Sequence, residues 1–241
     1  MPSLERYNRA LDYTYALGIF PALEALKSRP RQVRRVLVSS GIAPGEGLAR
    51  IKMLCEQHGV RVENADRALA RIAGKDNCFA AAVVSKGSPP LRDDARHLVL
   101  HQPMDKGNLG TVLRSALGFS FMDIAIVTPA ADTNDPHVIR ASMGAAFSLR
   151  IWEYDDFLEY RAAFPLRTLY PFMLDGAREL DTAVKRIVTP YTLIVGNEGS
   201  GLPASFQKEG LPVRIPHSEA IDSLNLSVAA SIGMYAFKQN E

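Results

Sequence analysis

Short apolar runs punctuate this chain at intervals, and the stretches between them change period. Residues 36–39 (VLVS), 60–62, 79–84 (FAAAVV), 97–101 (HLVLH), 124–127 (IAIV), 147–152, 167–173, 192–195 (TLIV) and 213–216 (VRIP) are the runs. Such segments, bounded by turn residues, predict short strands, those of the second half buried on both faces. The intervening stretches at 17–26, 48–58, 65–72, 109–117, 137–143, 155–163 and 181–186 predict helices. Pro21 fits the first turn of the first, and Gly59 closes the second. The last strand stops at Pro216, a polar loop follows at 217–222, and SLNLS then opens an apolar run to Phe237. That run predicts a helix with Ser223 as its N-cap and small residues at Ala229, Ala230 and Gly233.

The alternation of strand and helix from residue 95 onward predicts a parallel α/β sheet covered on both faces. Residues 1–86 predict a smaller α/β domain, and residues 87–94, within KGSPPLRDD, read as an extended linker to a second domain at 95–241. At 241 residues, 47% hydrophobic and 22% charged, the composition is that of an ordinary globular protein. No apolar run approaches the roughly 20 residues that span a bilayer. The N-terminal MPSLERYNRALDY has no apolar core segment, so a cytoplasmic location and no membrane partner are expected.

Charge changes this picture. Residues 1–92 hold 15 Lys/Arg against 8 Asp/Glu, whereas residues 93–241 hold 13 against 18. A basic first part on an acidic remainder points to a polyanion partner. The run containing Arg29, Arg31, Arg34 and Arg35 is expected at a helix end. There it reads equally as phosphate contacts or as charge complementing the helix dipole. Cys55 and Cys78 form no CxxC pair, and His97 and His101 bracket a strand without a carboxylate motif, so no disulfide and no metal are expected.

The candidate chemistry lies in three polar turns. Gly196 to Gly201 (GNEGSG) follows an apolar strand, but no Gly-Lys-Ser/Thr closes it and its glycine spacing is not that of a dinucleotide loop. Its glycines supply close backbone approach, enough to hold a neutral adenosine by N–H and C=O groups.

These turns carry a resemblance. Asn108-x-Gly110-x-x-x-Arg114, the GNEGSG turn, and Ile215-Pro216 followed by Ser223 to Ser227 (SLNLS) occur in that order. Together they resemble the TrmH-like (SpoU) branch of the SPOUT superfamily, the RNA ribose 2′-O-methyltransferases. The first 86 residues are similar, more loosely, to a small RNA-binding domain of the ribosomal L30e type. The resemblance implies a trefoil-knotted parallel α/β catalytic domain, S-adenosylmethionine as cofactor, an RNA substrate (rRNA ahead of tRNA) and a homodimer.

It also implies cofactor contacts from Gly196, Asn197, Gly201, Ile215, Leu224 and Asn225, and a catalytic set of Arg114, Asn108, Glu198, Ser223 and Asn225. A guanidinium stays protonated, so Arg114 is expected to clamp phosphate and nascent alkoxide while the proton leaves to phosphate or water. Glu198 is expected to accept from substrate or to fix Arg114. Ser223 and Asn225 read either as orienting groups or as helix caps. Ala229, Ala230 and Gly233 are expected to face a partner subunit. The chain departs from the family at His217 and Glu219, where Met and Gly are common. Two other functions stay open: methylation of a base nitrogen, and RNA binding without catalysis.

Overall fold

The structure, a computed structural model, describes residues 4–74 and 78–241. Its contacts divide the chain into two compact units: Met1–Gly87 with Asp132–Ser148, and Ser88–Ala131 with Leu149–Glu241.

The first unit runs β1 (Tyr13–Leu17), α1 (Ile19–Ser28), β2 (Val33–Val38), α2 (Glu46–His58), β3 (Val62–Asn64), α3 (Asp66–Ala73) and β4 (Ala80–Ser85). The strands form one mixed sheet in the order β1-β4-β2-β3, with β4 antiparallel to both neighbours. Side chains alternate across it as a pleated strand requires. Val36 and Val38 join Leu23, Leu26, Ile51 and Cys55 on the α1/α2 face. Leu37 and Val83 meet Leu69 and Ile72 of α3 on the other.

Two expectations need correction. The first helix starts at Ile19, not at residue 17, because Leu17 ends an antiparallel strand and Gly18, at φ 103°, turns the chain. Arg34 and Arg35 lie in β2, not at a helix end.

The second unit begins with β5 (His97–His101), α4 (Lys106–Gly118) and β6 (Asp123–Val127). Residues 132–148, with the short helix α5 (Pro136–Ala141), belong to the first unit. There Thr14 donates to the Asn134 carbonyl (2.5 Å), the Arg29 guanidinium donates to the Phe147 carbonyl (2.7 Å), and Gly144 lies on Pro21. The second unit resumes with β7 (Arg150–Tyr154), α6 (Phe157–Ala163), β8 (Thr168–Pro171), β9 (Arg178–Glu179), α7 (Leu180–Ala183), β10 (Tyr191–Val195), β11 (Val213–Arg214) and α8 (Leu226–Gln239).

Its main sheet is parallel throughout, in the order β7-β6-β5-β10-β8. The central strands are apolar because helices cover both faces. Leu98, Val99 and Leu100 are fully buried, each worth about 1.5–3 kcal/mol of transfer free energy. Strand order reverses between β5 and β10.

The amino ends of the same strands are closed by a buried polar chain. His97 Nε2 lies 2.7 Å from the Arg92 carbonyl, which can only accept, so Nε2 carries the proton. Nδ1 therefore accepts from the Tyr160 hydroxyl (3.0 Å), and Tyr160 accepts from Thr192 (2.7 Å). Thr192 in turn accepts from Arg167 Nε at 2.8 Å. Arg167 spends its other donors on the carbonyls of Asp93 (2.8 Å), Ala95 and Tyr191. Burial, together with the nearby Arg167 charge, pushes the His97 pKa down to about 4.

Among the described residues no helix is long and apolar enough to cross a membrane.

Candidate active site

A cleft of about 430 Å³ opens at the carboxyl ends of β8 and β10. Its floor is the turn after β10. A Cβ placed on Gly196 would lie 2.3 Å from the Gly201 carbonyl carbon and 2.4 Å from the Leu202 nitrogen, so only glycine fits. The turn closes on itself: Asn197 N–H donates to the Gly201 carbonyl (3.2 Å), and Gly201 N–H donates back to the Asn197 carbonyl (3.0 Å). Gly201 sits at φ +66°, where a Cβ is disfavoured.

Two of the three polar side chains of this turn, Asn197 and Glu198, tie it to the loop before α4. Asn197 accepts from the N–H groups of Gly199 (2.8 Å) and Ser200 (3.2 Å), and its amide donates to the Gln102 carbonyl (2.7 Å). Glu198 accepts from the backbone N–H groups of Met104 (3.1 Å) and Asp105 (3.0 Å). Its carboxylate therefore anchors the β5–α4 loop; it does not fix Arg114.

The third block forms one wall. Ile215, His217, Ser223 and Leu224 line the cleft. His217 Nδ1 lies 2.9 Å from the Ile215 carbonyl, so that nitrogen carries a proton. Ser223 is not the N-cap of the final helix. Asn225 is: its side chain accepts from Ser227 N–H (2.8 Å) and from the Ser227 hydroxyl (2.7 Å), so α8 starts at Leu226. The Asn225 amide then donates to Asn108 Oδ1 (3.0 Å), joining the N-termini of α4 and α8 beside the cleft. Asp105 caps α4 through Asn108 N–H, and Ser231 donates to Ser115 (2.8 Å) further along the same pair of helices.

Of the expected cofactor residues, Gly196, Asn197, Gly201, Ile215 and Leu224 line the cleft, as do Glu198 and Ser223. Asn108 and Asn225 pair just outside it. Arg114 does not line it. It sits six residues past Asn108, about 9 Å along α4, exposed to solvent, and among the described residues it has no hydrogen-bonding or ionic partner.

The small residues of α8 also differ from expectation. Gly233 and Ala230 are buried within their own chain, and a Cβ at Gly233 would lie 2.5 Å from the Phe172 ring; Ala229 lines the cleft. Ala230 and Gly233 let α8 settle onto the segment after β8 and are not open to a partner. That segment, Phe172 to Asp175, forms the opposite wall; it carries no turn motif, and nothing in its sequence announced the role.

In the first unit the four arginines are mostly engaged. Arg29 donates to the Phe147 and Gly87 carbonyls. Arg34 pairs with Asp12 (2.8 Å) and stacks over Tyr13, and Arg35 pairs with Glu63 (3.3 Å). Arg31 is exposed on the short turn between α1 and β2.

The residues around the cleft suit an adenosine-bearing cofactor: backbone groups reach the floor at Gly196, and the volume falls within the usual range for a small-molecule site. An open parallel sheet with a glycine-floored cleft at the carboxyl ends of its strands defines an α/β domain of the kind that binds small molecules there. The chain belongs to the SpoU rRNA Methylase family, whose model matches residues 95–235.

The 23S rRNA (uridine(2479)-2′-O)-methyltransferase of Streptomyces viridochromogenes is 31% identical over 156 residues, 61% of this chain and 53% of that protein. The 23S rRNA (guanosine(2553)-2′-O)-methyltransferase RlmP of Bacillus subtilis is 26% identical over 158 residues, 64% and 62% of the two chains. The chain spans about half the length of the first of these curated relatives. The SpoU methyltransferase AviRb from Streptomyces viridochromogenes, solved in complex with the cofactor AdoMet, superposes with a TM-score of 0.78. It is 23% identical and covers 96% of this chain and 93% of that one. The fold is thus shared along nearly the whole chain.

Proposed function

We propose that this protein is an S-adenosylmethionine-dependent methyltransferase acting on a ribose 2′-hydroxyl of ribosomal RNA. The observation that carries the reading is the cleft floored by the Gly196 to Gly201 turn, which packs backbone on backbone and closes on itself. Family membership and two relatives named as 23S rRNA 2′-O-methyltransferases support the reaction and the substrate. A ribosomal RNA substrate supports a cytoplasmic location.

Gly196, Gly201, Ile215 and Leu224 hold the adenosine and its ribose, and Asn197 and Glu198 keep the floor in register with the loop before α4. S-adenosylmethionine, when bound, supplies an electrophilic methyl group. Displacement at that methyl needs an acceptor oxygen held in line and relieved of its proton. Arg114 serves as the electrostatic clamp on the RNA phosphate and the developing alkoxide, while Ser223, Asn108 and Asn225 orient the acceptor.

Arg114 stands on the exposed face of α4, away from its own chain's cleft, which supports completion of the site across a homodimer. The outer faces of α4 and α8 suit that role: Val228 and Tyr235 are 45% and 53% exposed, and Phe119 meets Tyr235 edge-on at 5.9 Å. The knot belongs to this reading too. Phe172 N–H donates to Ile194 (2.8 Å) and Met173 N–H to Val213 (2.9 Å), so the segment after β8 runs between the β10 and β11 stretches, with α8 packed on it. The first unit carries the RNA through its basic surface, with Arg31 an exposed member of the four arginines described above.

The test is nucleoside analysis of rRNA incubated with protein and methyl-labelled cofactor. A 2′-O-methylnucleoside is expected. A base-methylated product, or no product despite cofactor binding, overturns the reading.

A further inference from the structure

The cleft has an unusual charge balance for a site that serves an RNA-modifying enzyme. Among the described residues its charged lining groups are Asp175, Glu198 and Asp222, no lysine or arginine lines it, and His217 is the only other titratable group there. The Glu198 carboxylate is already met by two backbone N–H donors. Asp175 and Asp222 stand on opposite walls, exposed, and among the described residues neither carboxylate has a hydrogen-bonding or ionic partner. Two carboxylates without a partner among the described residues thus line a cleft whose floor is glycine backbone.

Backbone groups recognise adenosine but not what is attached to it. S-adenosylmethionine, S-adenosylhomocysteine and ATP all present that adenosine. They differ in charge: a sulfonium cation, a neutral thioether and a polyphosphate anion. We infer that Asp175 and Asp222 are specificity-determining residues that select the cationic cofactor over its neutral by-product and over anionic adenine nucleotides. This rests on the cofactor reading above and goes beyond it.

The physical reason is simple Coulomb attraction. A carboxylate about 6 Å from a unit charge in water changes affinity roughly threefold, so two give about tenfold. Once the methyl group is gone, the S–CH₃ bonding pair stays on sulfur, the positive charge disappears and that attraction disappears with it. By-product release is thereby favoured without any movement of the protein. The same carboxylates repel polyphosphate, so the shared adenosine does not make the cleft an ATP site.

Calorimetry on the full chain tests this with S-adenosylmethionine, S-adenosylhomocysteine and ATP as probes, at 50 mM and about 1 M salt, where screening removes most long-range attraction. The wild-type protein is expected to bind S-adenosylmethionine about tenfold more tightly than S-adenosylhomocysteine at low salt. That ratio is expected to shrink towards about twofold at high salt. The double variant Asp175→Asn, Asp222→Asn is expected to show the same small ratio at both salt concentrations, with S-adenosylhomocysteine affinity changed less than about threefold and ATP binding gained. Both substitutions are isosteric and exposed, and an unchanged melting temperature confirms the fold. Equal wild-type affinity for the two adenosyl compounds, or a ratio the double variant leaves intact, overturns the inference while sparing the cofactor reading. Binding of neither adenosyl compound overturns both.

Discussion

Replacing Gly196 with alanine gives the most direct measure of how the cleft is built. The added methyl would lie 2.3–2.6 Å from three backbone atoms of Gly201 and Leu202. Ordinary carbon contacts are near 3.5 Å, so the opposing backbone must retreat by roughly 1 Å. No flexible side chain is available to absorb that shift, because every near neighbour is main chain. The retreat breaks the reciprocal pair between Asn197 and Gly201, at 3.2 and 3.0 Å. At about 1 kcal/mol each, the two bonds amount to about 2 kcal/mol. For a chain of this length that corresponds to a melting temperature lower by about 4–8 °C. A ligand that needs the closed turn loses the same free energy, so S-adenosylmethionine should bind about 30-fold more weakly. Thermal melts and calorimetry read both quantities. A variant that melts within about 1 °C of wild type and binds within about twofold would refute the claim that this turn is rigid and backbone-built.

Arg114→Ala should lower turnover at least about 100-fold while leaving S-adenosylmethionine affinity within about twofold, since this residue lies outside the cleft; a large affinity loss with turnover kept would contradict its assigned role. Arg31→Ala should weaken RNA binding and reduce the slope of log affinity against log salt by about 1, whereas Arg29→Ala should chiefly lower the melting temperature by stripping donors from the Phe147 and Gly87 carbonyls. His97, depressed to about 4 in the folded protein against about 6.5 unfolded, binds fewer protons folded than unfolded between those values. Its contribution of about 3 kcal/mol is therefore complete above pH 6.5 and lost as pH falls towards 4. An NMR titration placing its imidazole midpoint near 6.5 would disprove the buried neutral state.

The second unit was largely legible. Strands such as His97–His101 and Tyr191–Val195 are apolar almost throughout because both faces are covered, and a glycine turn after a buried strand is a local signal. Legibility failed where partners are distant in sequence. Tyr13–Leu17 pairs antiparallel with Ala81–Ser85, and without that partner its last residue merges into the following helical pattern. Arg34 and Arg35 read as a helix-end charge run because their partners, Asp12 and Glu63, lie 22 and 28 residues away. Membership of residues 132–148 in the first unit rests on Tyr7, Thr14 and Arg29, more than 100 residues earlier. Within the site, Gly233 announced a close approach correctly, but only coordinates show that the approaching group is Phe172 of the same chain.

The grip of Glu198 on Met104 and Asp105 has one more outcome. A single carboxylate rivets the glycine turn to the start of the helix that bears Arg114, so a disturbance on either side of that rivet is felt on the other. Damage at Gly196 and damage at Asp105 should consequently fail to add in a double-mutant cycle, although the two positions are 91 residues apart in the chain.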